Sequence, residues 1–443
     1  MREAFKRVFI EFEERGLPEL VERELVVKSS PLTAIVGPRR AGKTYYFFQL
    51  IREFGGVPNC LYVDFEHELL AGVKGSDLGE MFTAFRELYG RDPTYVFLDE
   101  VQAVPGWERF VRRLRDSGKY KVFVTGSSSK LLAREVATQL RGRTITYFLL
   151  PFSFREYLRL LGVKVGHKLL KYSGRARGEV LHHLSRYLSD GGFPELVLKR
   201  GLYDELLHSI VEGIFYRDLV DRFRVRRVSL LDYLMRLMAR RVGKEFTITR
   251  IHKVLRSAGL KVSKATIMEY LNMLREVMLF FYVKQLNTPF HEALKKPRKA
   301  YIVDNSLLKV LGGPQEPTTL LENAAFLELL RMKNLNPFLE INYWREAPNG
   351  PEVDFILREG TAVRALIQVT YKLTPENEDR EVRALLKASR KLECGNLLII
   401  TWGQEETLNA GNKEVRVIPF YEWVLGNPLD YVMAGQKARS ENT

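Results

Sequence analysis

Through the first third of the chain, short apolar runs rich in β-branched and aromatic residues alternate with helical patterns. The runs cover residues 32–36, 60–65, 95–98, 121–125 and 144–150. Such alternation predicts a parallel sheet with crossover helices, an α/β architecture. From 151 to about 230 the pattern turns helical, with amphipathic stretches at 179–188 and 202–215 separated by Asp190-Gly191-Gly192. This predicts a helical lid. Residues 230–286 then read as a helix-turn-helix unit: two close helices at 247–257 and 264–277, a turn holding Gly259, and an apolar strand-like run at 278–285. That order predicts a winged helix. After Gly312-Gly313-Pro314 and Pro317, a helix at 320–330 opens a last α/β region with strands expected at 340–344, 353–357, 366–370 and 396–401. The domain boundaries so drawn are 1–150, 151–229, 230–312 and 313–434, with a disordered tail at 435–443.

Composition keeps this picture within the class of soluble globular proteins. The chain has 443 residues, 46% hydrophobic and 28% charged, enough for several cores. Its most apolar windows, 277–283 and 397–402, are far shorter than a bilayer span. No secretory leader is read at the N-terminus, where acidic residues follow Arg2, Lys6 and Arg7 at once. Cys60 and Cys394 stand far apart without metal-ligand partners, as buried thiols in a reducing cytoplasm would.

Charge changes the picture more. The formal net charge is +15, and residues 215–300 hold 20 Lys or Arg against 7 Asp or Glu. That asymmetry points to a polyanionic partner, with DNA a candidate; a solvated face on a highly charged protein is the other reading. In the helix-turn-helix unit, Arg250, Lys253, Arg256, Lys261, Lys264 and Arg275 are the candidate phosphate contacts, with Ser263 and Thr266 near a groove. Ile267, Tyr270, Leu271 and Leu274 have core spacing in either reading.

The sharpest chemistry lies early. Gly37-Pro38-Arg39-Arg40-Ala41-Gly42-Lys43-Thr44 fits G-x-x-x-x-G-K-[ST], directly after a predicted strand and before a predicted helix. Such a loop binds a nucleoside triphosphate, ATP or a close relative, through its backbone amides. Lys43 would neutralise the β and γ oxygens and Thr44 would ligate Mg²⁺. The run Tyr95-Val96-Phe97-Leu98-Asp99-Glu100 ends a strand in two carboxylates; Asp99 is the expected Mg²⁺-shell residue and Glu100 the base that orients water. The next strand ends in Thr125-Gly126-Ser127, where Thr125 or Ser127 could sense the γ-phosphate.

With Gly37 to Thr44, 98–102, 125–128, 140–143, 151–156, 191–195 and 352–355 in this order, the chain resembles the AAA+ ATPases of archaea and bacteria that carry a C-terminal domain of unknown function with a nuclease-like core. The resemblance implies an arginine finger at Arg143, with Arg141 as runner-up, often acting in a neighbouring subunit. It also implies that Gly192 and Pro194 touch the nucleotide, and that the last region has a restriction-endonuclease-like fold. In active members an Asp and a Glu-x-Lys gather Mg²⁺ and water. Here Asp354 takes the first place, Glu328 could add a ligand, and Gln368-Val369-Thr370 stands where Glu-x-Lys is expected, with Lys372 two residues late. The expectation is therefore a nuclease-like fold that is inactive or serves binding, on a cytoplasmic ATPase coupling nucleotide state to DNA or a protein partner. The rivals are a slow nucleotide-dependent switch and an ATP-gated nuclease.

Overall fold

Strands buried on both faces have no polar side to alternate with, and β1 (Leu32–Val36) is buried at every position. The computed structural model describes residues 1–28, 30–126, 144–164, 166–286, 296–347 and 350–432. It divides into two units, Met1–Pro151 with Glu276–Met278, and Phe152–Arg275 with Leu279–Thr443.

In the first unit, helix α1 (Arg2–Arg15) precedes β1, followed by α2 (Lys43–Glu53), β2 (Cys60–Asp64), α3 (Glu80–Tyr89), β3 (Tyr95–Asp99), α4 (Trp107–Ser117), β4 (Lys121–Gly126) and β5 (Ile145–Phe148). The five strands are parallel, in the order β2-β3-β4-β1-β5. From β1 the chain moves past two places to β2, and β5 returns on the opposite side of β1. The carboxyl ends of β1 and β4 therefore flank the crevice where a doubly wound sheet presents ligands. Aromatic rings fill the layer beneath: Phe97 stacks on Phe123 at 4.8 Å between centroids and meets Phe47 edge-on at 5.0 Å.

The second unit opens with α5 (Phe154–Leu160), α6 (His167–Tyr172), α7 (Gly174–Asp190), α8 (Pro194–Leu198), α9 (Tyr203–Glu212) and α10 (Val228–Ala239). A capping box starts α5, with Ser153 Oγ accepting from the Glu156 amide at 3.1 Å and the Glu156 carboxylate accepting from the Ser153 amide at 2.9 Å. A nine-residue π-helical stretch, Gly213–Asp221, extends α9.

Next come β6 (Glu245–Phe246), α11 (Ile248–Ser257), α12 (Lys264–Glu276), β7 (Phe280–Gln285) and β8 (Arg298–Ile302). Thr247 caps α11 and Ser263 accepts from the Thr266 amide at 3.0 Å. The remainder is α13 (Ser306–Leu311), α14 (Pro317–Leu335), β9 (Leu339–Arg345), β10 (Glu352–Glu359), β11 (Ala362–Val369), α15 (Pro375–Leu392), β12 (Leu397–Thr401), β13 (Glu406–Ala410), β14 (Lys413–Pro419) and α16 (Phe420–Leu425).

The boundary expected at 312/313 separates no sheets. One nine-stranded mixed sheet, β13-β14-β12-β11-β10-β9-β7-β8-β6, runs through both segments. Strand β7 pairs in parallel with β9 at Lys284↔Asn342 and Gln285↔Tyr343, and the Leu286 amide continues the ladder to Tyr343 O at 2.8 Å. Pairing satisfies backbone groups that an open edge would leave exposed. The apolar pattern predicts strands without naming their partners. The expected tail at 435–443 lies outside the described residues.

Candidate functional site

At the end of β1 the chain must pass close beside the segment following β5. A Cβ on Gly37 would stand 2.0 Å from Leu149 O, so only glycine fits there. The loop then turns through Arg40 and Gly42 in the left-handed region, with φ of 62° and 90°, and α2 begins at Lys43. The first amides of α2 have no intrahelical acceptors, and with the helix dipole they favour an anion. Arg23, buried, braces the loop from behind, donating to Ala41 O at 2.7 Å and Leu150 O at 2.6 Å.

Lys43 Nζ donates to the carbonyls of Gly37 at 3.3 Å and Pro38 at 3.2 Å and lies 3.4 Å from Glu100 Oε1. Thr44 Oγ1 donates to Asp99 Oδ2 at 2.6 Å, and the Tyr62 hydroxyl donates to the same oxygen at 3.2 Å. The other oxygen, Oδ1, accepts from the Thr125 hydroxyl and, at 3.1 Å, from the Glu100 amide. Thr125 Oγ1 in turn accepts from the Glu100 amide at 2.9 Å. Its hydroxyl is thus engaged with the two carboxylate residues. Glu100 holds a left-handed conformation, φ 47°, a strained position for a non-glycine residue, and Gln102 Nε2 donates to its Oε2.

Burial pushes the Asp99 carboxyl up to about 6; the Thr125 and Thr44 hydroxyls oppose this, while Glu100 and Asp64 add to it. Among the described residues, its hydrogen-bond partners are hydroxyls and an amide, none of them cationic. Thr44 and Asp99 are therefore a donor set that fits a hard cation such as Mg²⁺.

Arg23, Tyr62 and Asp64 escaped the sequence reading. Arg23 lies outside any motif. Asp64 ends β2 in register with Asp99, and burial raises its carboxyl too. Beside Asp64 opens a cavity of about 270 Å³ lined by Arg15, Thr44, Tyr45, Phe48, Tyr62 and Asp64. The only signal for Asp64 was a polar residue near the end of the apolar run 60–65. Arg39 lies 3.5 Å from Glu66 Oε1. Ser127, Arg141 and Arg143 lie outside the described residues.

Gly192 and Pro194 belong to the second unit, where Pro194 opens α8. The Gly192 amide donates to Asp304 Oδ2 at 2.8 Å and its carbonyl accepts from the Phe152 amide at 2.7 Å.

The candidate nuclease residues come together only in part. Asp354 on β10 and Gln368 on β11 are neighbours, the Asp354 amide donating to Gln368 Oε1 at 3.3 Å. Glu328 is elsewhere, 2.8 Å from an Arg331 nitrogen and 3.8 Å from Arg155, and Lys372 is exposed. The α14 carboxylate that shares a partner with Asp354 is Glu322, and the partner is Lys299; the sequence reading singled out neither. Among the described residues no group of three or more His, Cys, Asp or Glu is set to hold a metal ion.

Arg250, Lys253, Arg256, Lys261, Lys264 and Arg275 are all exposed, while Ile267, Tyr270, Leu271 and Leu274 are buried as their spacing predicts. Arg227 donates to Lys261 O at 2.9 Å, adding a cation beside the turn between α11 and α12. Both cysteines are free and buried. No helix of the described residues is long and apolar enough to cross a membrane.

Comparison with known proteins agrees with the first unit. Residues 29–158 match an AAA domain, and 181–318 match a domain of unknown function (DUF8612). An uncharacterized protein of Methanocaldococcus jannaschii is 33% identical over 422 residues, 92% of this chain and 91% of that one. An uncharacterized protein of Haemophilus influenzae is 29% identical over 401 residues, covering 89% and 94%. Among solved structures, Cdc6p of Pyrobaculum aerophilum aligns over 73% of this chain and 94% of its own at 13% identity, with a TM-score of 0.26, a likeness too distant to bear on function. With its phosphate loop set in a five-stranded parallel sheet and an AAA domain at 29–158, a nucleotide-binding module, the chain belongs to the same family as the Methanocaldococcus protein.

Proposed function

We propose that the AAA domain hydrolyses ATP and that its nucleotide state governs binding of duplex DNA by the basic helix pair of the second unit. The observation that carries the hydrolytic reading is the chain of contacts from Thr44 through Asp99 to Glu100 and Lys43. Mg²⁺ held by Thr44 and Asp99 would supply charge neutralisation for the triphosphate. Lys43 holds its ammonium with two backbone carbonyls and Glu100 at 3.2–3.4 Å, partners that anionic phosphate oxygens outcompete. Once Lys43 turns to phosphate, Glu100 gives up that contact and its carboxylate can accept a proton from water, with Gln102 holding its other oxygen. The strained Glu100 backbone keeps that carboxylate beyond the strand end. Arg143 would complete charge stabilisation on the γ-phosphate, from its own subunit or a neighbouring copy.

Support for the DNA partner comes from the segment β6-α11-α12-β7-β8, which has the element order of a winged helix. Arg250, Lys253, Arg256, Lys261, Lys264 and Arg275 are exposed while the apolar Ile267, Tyr270, Leu271 and Leu274 among them are buried, the division that phosphate contacts require. The ATP-gated nuclease is disfavoured by the contacts Lys299 makes to Asp354 and Glu322.

The test is phosphate release by the wild type, Lys43→Ala and Glu100→Gln, each with and without duplex DNA at two salt concentrations. Hydrolysis lost in both variants, stimulated by DNA and weakened by salt, is expected. Undiminished release in both variants would sink the hydrolytic reading. Tight ATP binding with slow turnover and no salt-dependent DNA binding would make the protein a nucleotide switch for a protein partner.

A further inference from the structure

A buried ionic network in the second unit takes no part in the nucleotide chemistry. Lys299 Nζ lies 2.6 Å from Glu352 Oε1, 2.7 Å from Asp354 Oδ1 and 3.1 Å from Glu322 Oε1, and the residue is 1% exposed. Tyr301, two residues on and therefore on the same face of β8, donates to Glu322 Oε1 at 2.7 Å. Asp354 Oδ2 accepts from the Val369 amide at 3.0 Å. Glu352 pairs through its second oxygen with Arg345, whose Nε lies 3.1 Å from Glu245 Oε1. Burial alone would lower the Lys299 basicity, but Asp354 and Glu322 hold its ammonium well above the ordinary lysine range.

The three carboxylates around Lys299 come from α14 and β10, with Gln368 on β11 next to them. Helix and strand carboxylates converging in this way are what a metal-dependent phosphodiesterase gathers around a divalent ion. Here the ion does not fit. An ammonium has three donors, and three carboxylates stand around them; a divalent cation at the same point would face a buried like charge.

We propose that Lys299 is the resident cation of this site: its ammonium takes the place of a divalent ion, so that the second unit works without metal. The carboxylates then serve as a clasp. They join β8, which belongs to the basic helix pair, to α14 and β10 of the terminal α/β segment. This assigns a role to a lysine that sequence counting places on a cationic surface, and it holds whether or not the AAA domain hydrolyses ATP.

The experiment is Mn²⁺ binding, read by electron paramagnetic resonance, to the nucleotide-free full chain and to its Asp354→Asn and Lys299→Met variants. The wild type and Asp354→Asn should bind the same amount of Mn²⁺, because no ion depends on Asp354 while Lys299 is present. Lys299→Met should gain one saturable site and should melt several degrees higher with Mn²⁺ than without, a shift absent from the wild type. A wild-type Mn²⁺ site lost in Asp354→Asn would overturn the proposal and make Lys299 a companion of the metal. A folded Lys299→Met that gains no site would overturn it equally. Should that variant not fold, the comparison of wild type with Asp354→Asn decides the matter alone.

Discussion

Each unit sets a lysine against carboxylate oxygen beside a sheet, and the two arrangements differ in how fully the lysine is committed. Lys43 is held at 3.2–3.4 Å by two carbonyls and one carboxylate, at the mouth of a glycine loop. Lys299 is held at 2.6–3.1 Å by three carboxylates inside a sheet domain. The first lysine can exchange its partners for an incoming anion; the second would leave buried Glu322 and Asp354 without it if it moved. Asp99 sharpens the contrast. It is as buried as Asp354, but hydroxyls and an amide surround it instead of an ammonium, which leaves its charge for a bound cation to answer. The same residue types therefore make an exchangeable site in one unit and a closed one in the other.

The largest effect should come from the exchangeable site. Glu100→Gln is expected to lower single-turnover phosphate release by about 10²–10⁴-fold while ATP binding, followed by a fluorescent analogue, persists. Loss of binding along with turnover would show that Glu100 only braces the loop.

The closed site should reveal itself in stability. Lys299→Met leaves buried Glu322 and Asp354 without Lys299 and Glu352 with Arg345 alone, and breaking a buried ion pair from one side costs about 3–5 kcal/mol. Urea unfolding of the metal-free protein measures this, and a cost near zero would mean that the clasp is solvated.

Asp99 gives a smaller effect that depends on pH. Its folded pKa, pushed up to about 6, exceeds its unfolded value, so its contribution is fully present below the unfolded pKa and is lost as pH rises through about 6. Without nucleotide or metal, the wild type should therefore lose roughly 1–2 kcal/mol relative to Asp99→Asn between pH 5 and 7.5. Urea midpoints at the two pH values supply the comparison, and a parallel response would remove the buried charge from the account.

The smallest change belongs to the basic helices. Lys264→Ala should weaken binding to any duplex sequence alike and reduce the salt slope of the binding constant by about 0.9. A loss confined to one sequence would move Lys264 from phosphate contact to base recognition.

The phosphate loop was legible because everything that defines it is local: glycines at the turn, the strand before and the helix after. Asp99-Glu100 was legible for the same reason. Glu322 and Glu328 show the limit. Both lie on α14, a helix buried nearly all round, so no apolar stripe could tell which carboxylate meets Asp354. Lys299 shows it again. It was one of the 20 cations credited to a basic surface, and the fold buries it, whereas Arg250, Lys253, Arg256, Lys261, Lys264 and Arg275 remain exposed. The count of charges was sound, but their placement depended on which strands pair.

By itself, then, the sequence determined the parallel α/β start, the nucleotide loop, the strand-end carboxylates and the capped helix pair, all of which rest on backbone preference and contacts between near neighbours. Tertiary structure alone decided that β7 joins β9, that Asp64 and Tyr62 gather at Asp99, and that Lys299 closes on Glu322, Glu352 and Asp354. These contacts join distant segments through sheet order and register, and a pattern of apolar and polar positions fixes which face is buried without fixing what lies across from it.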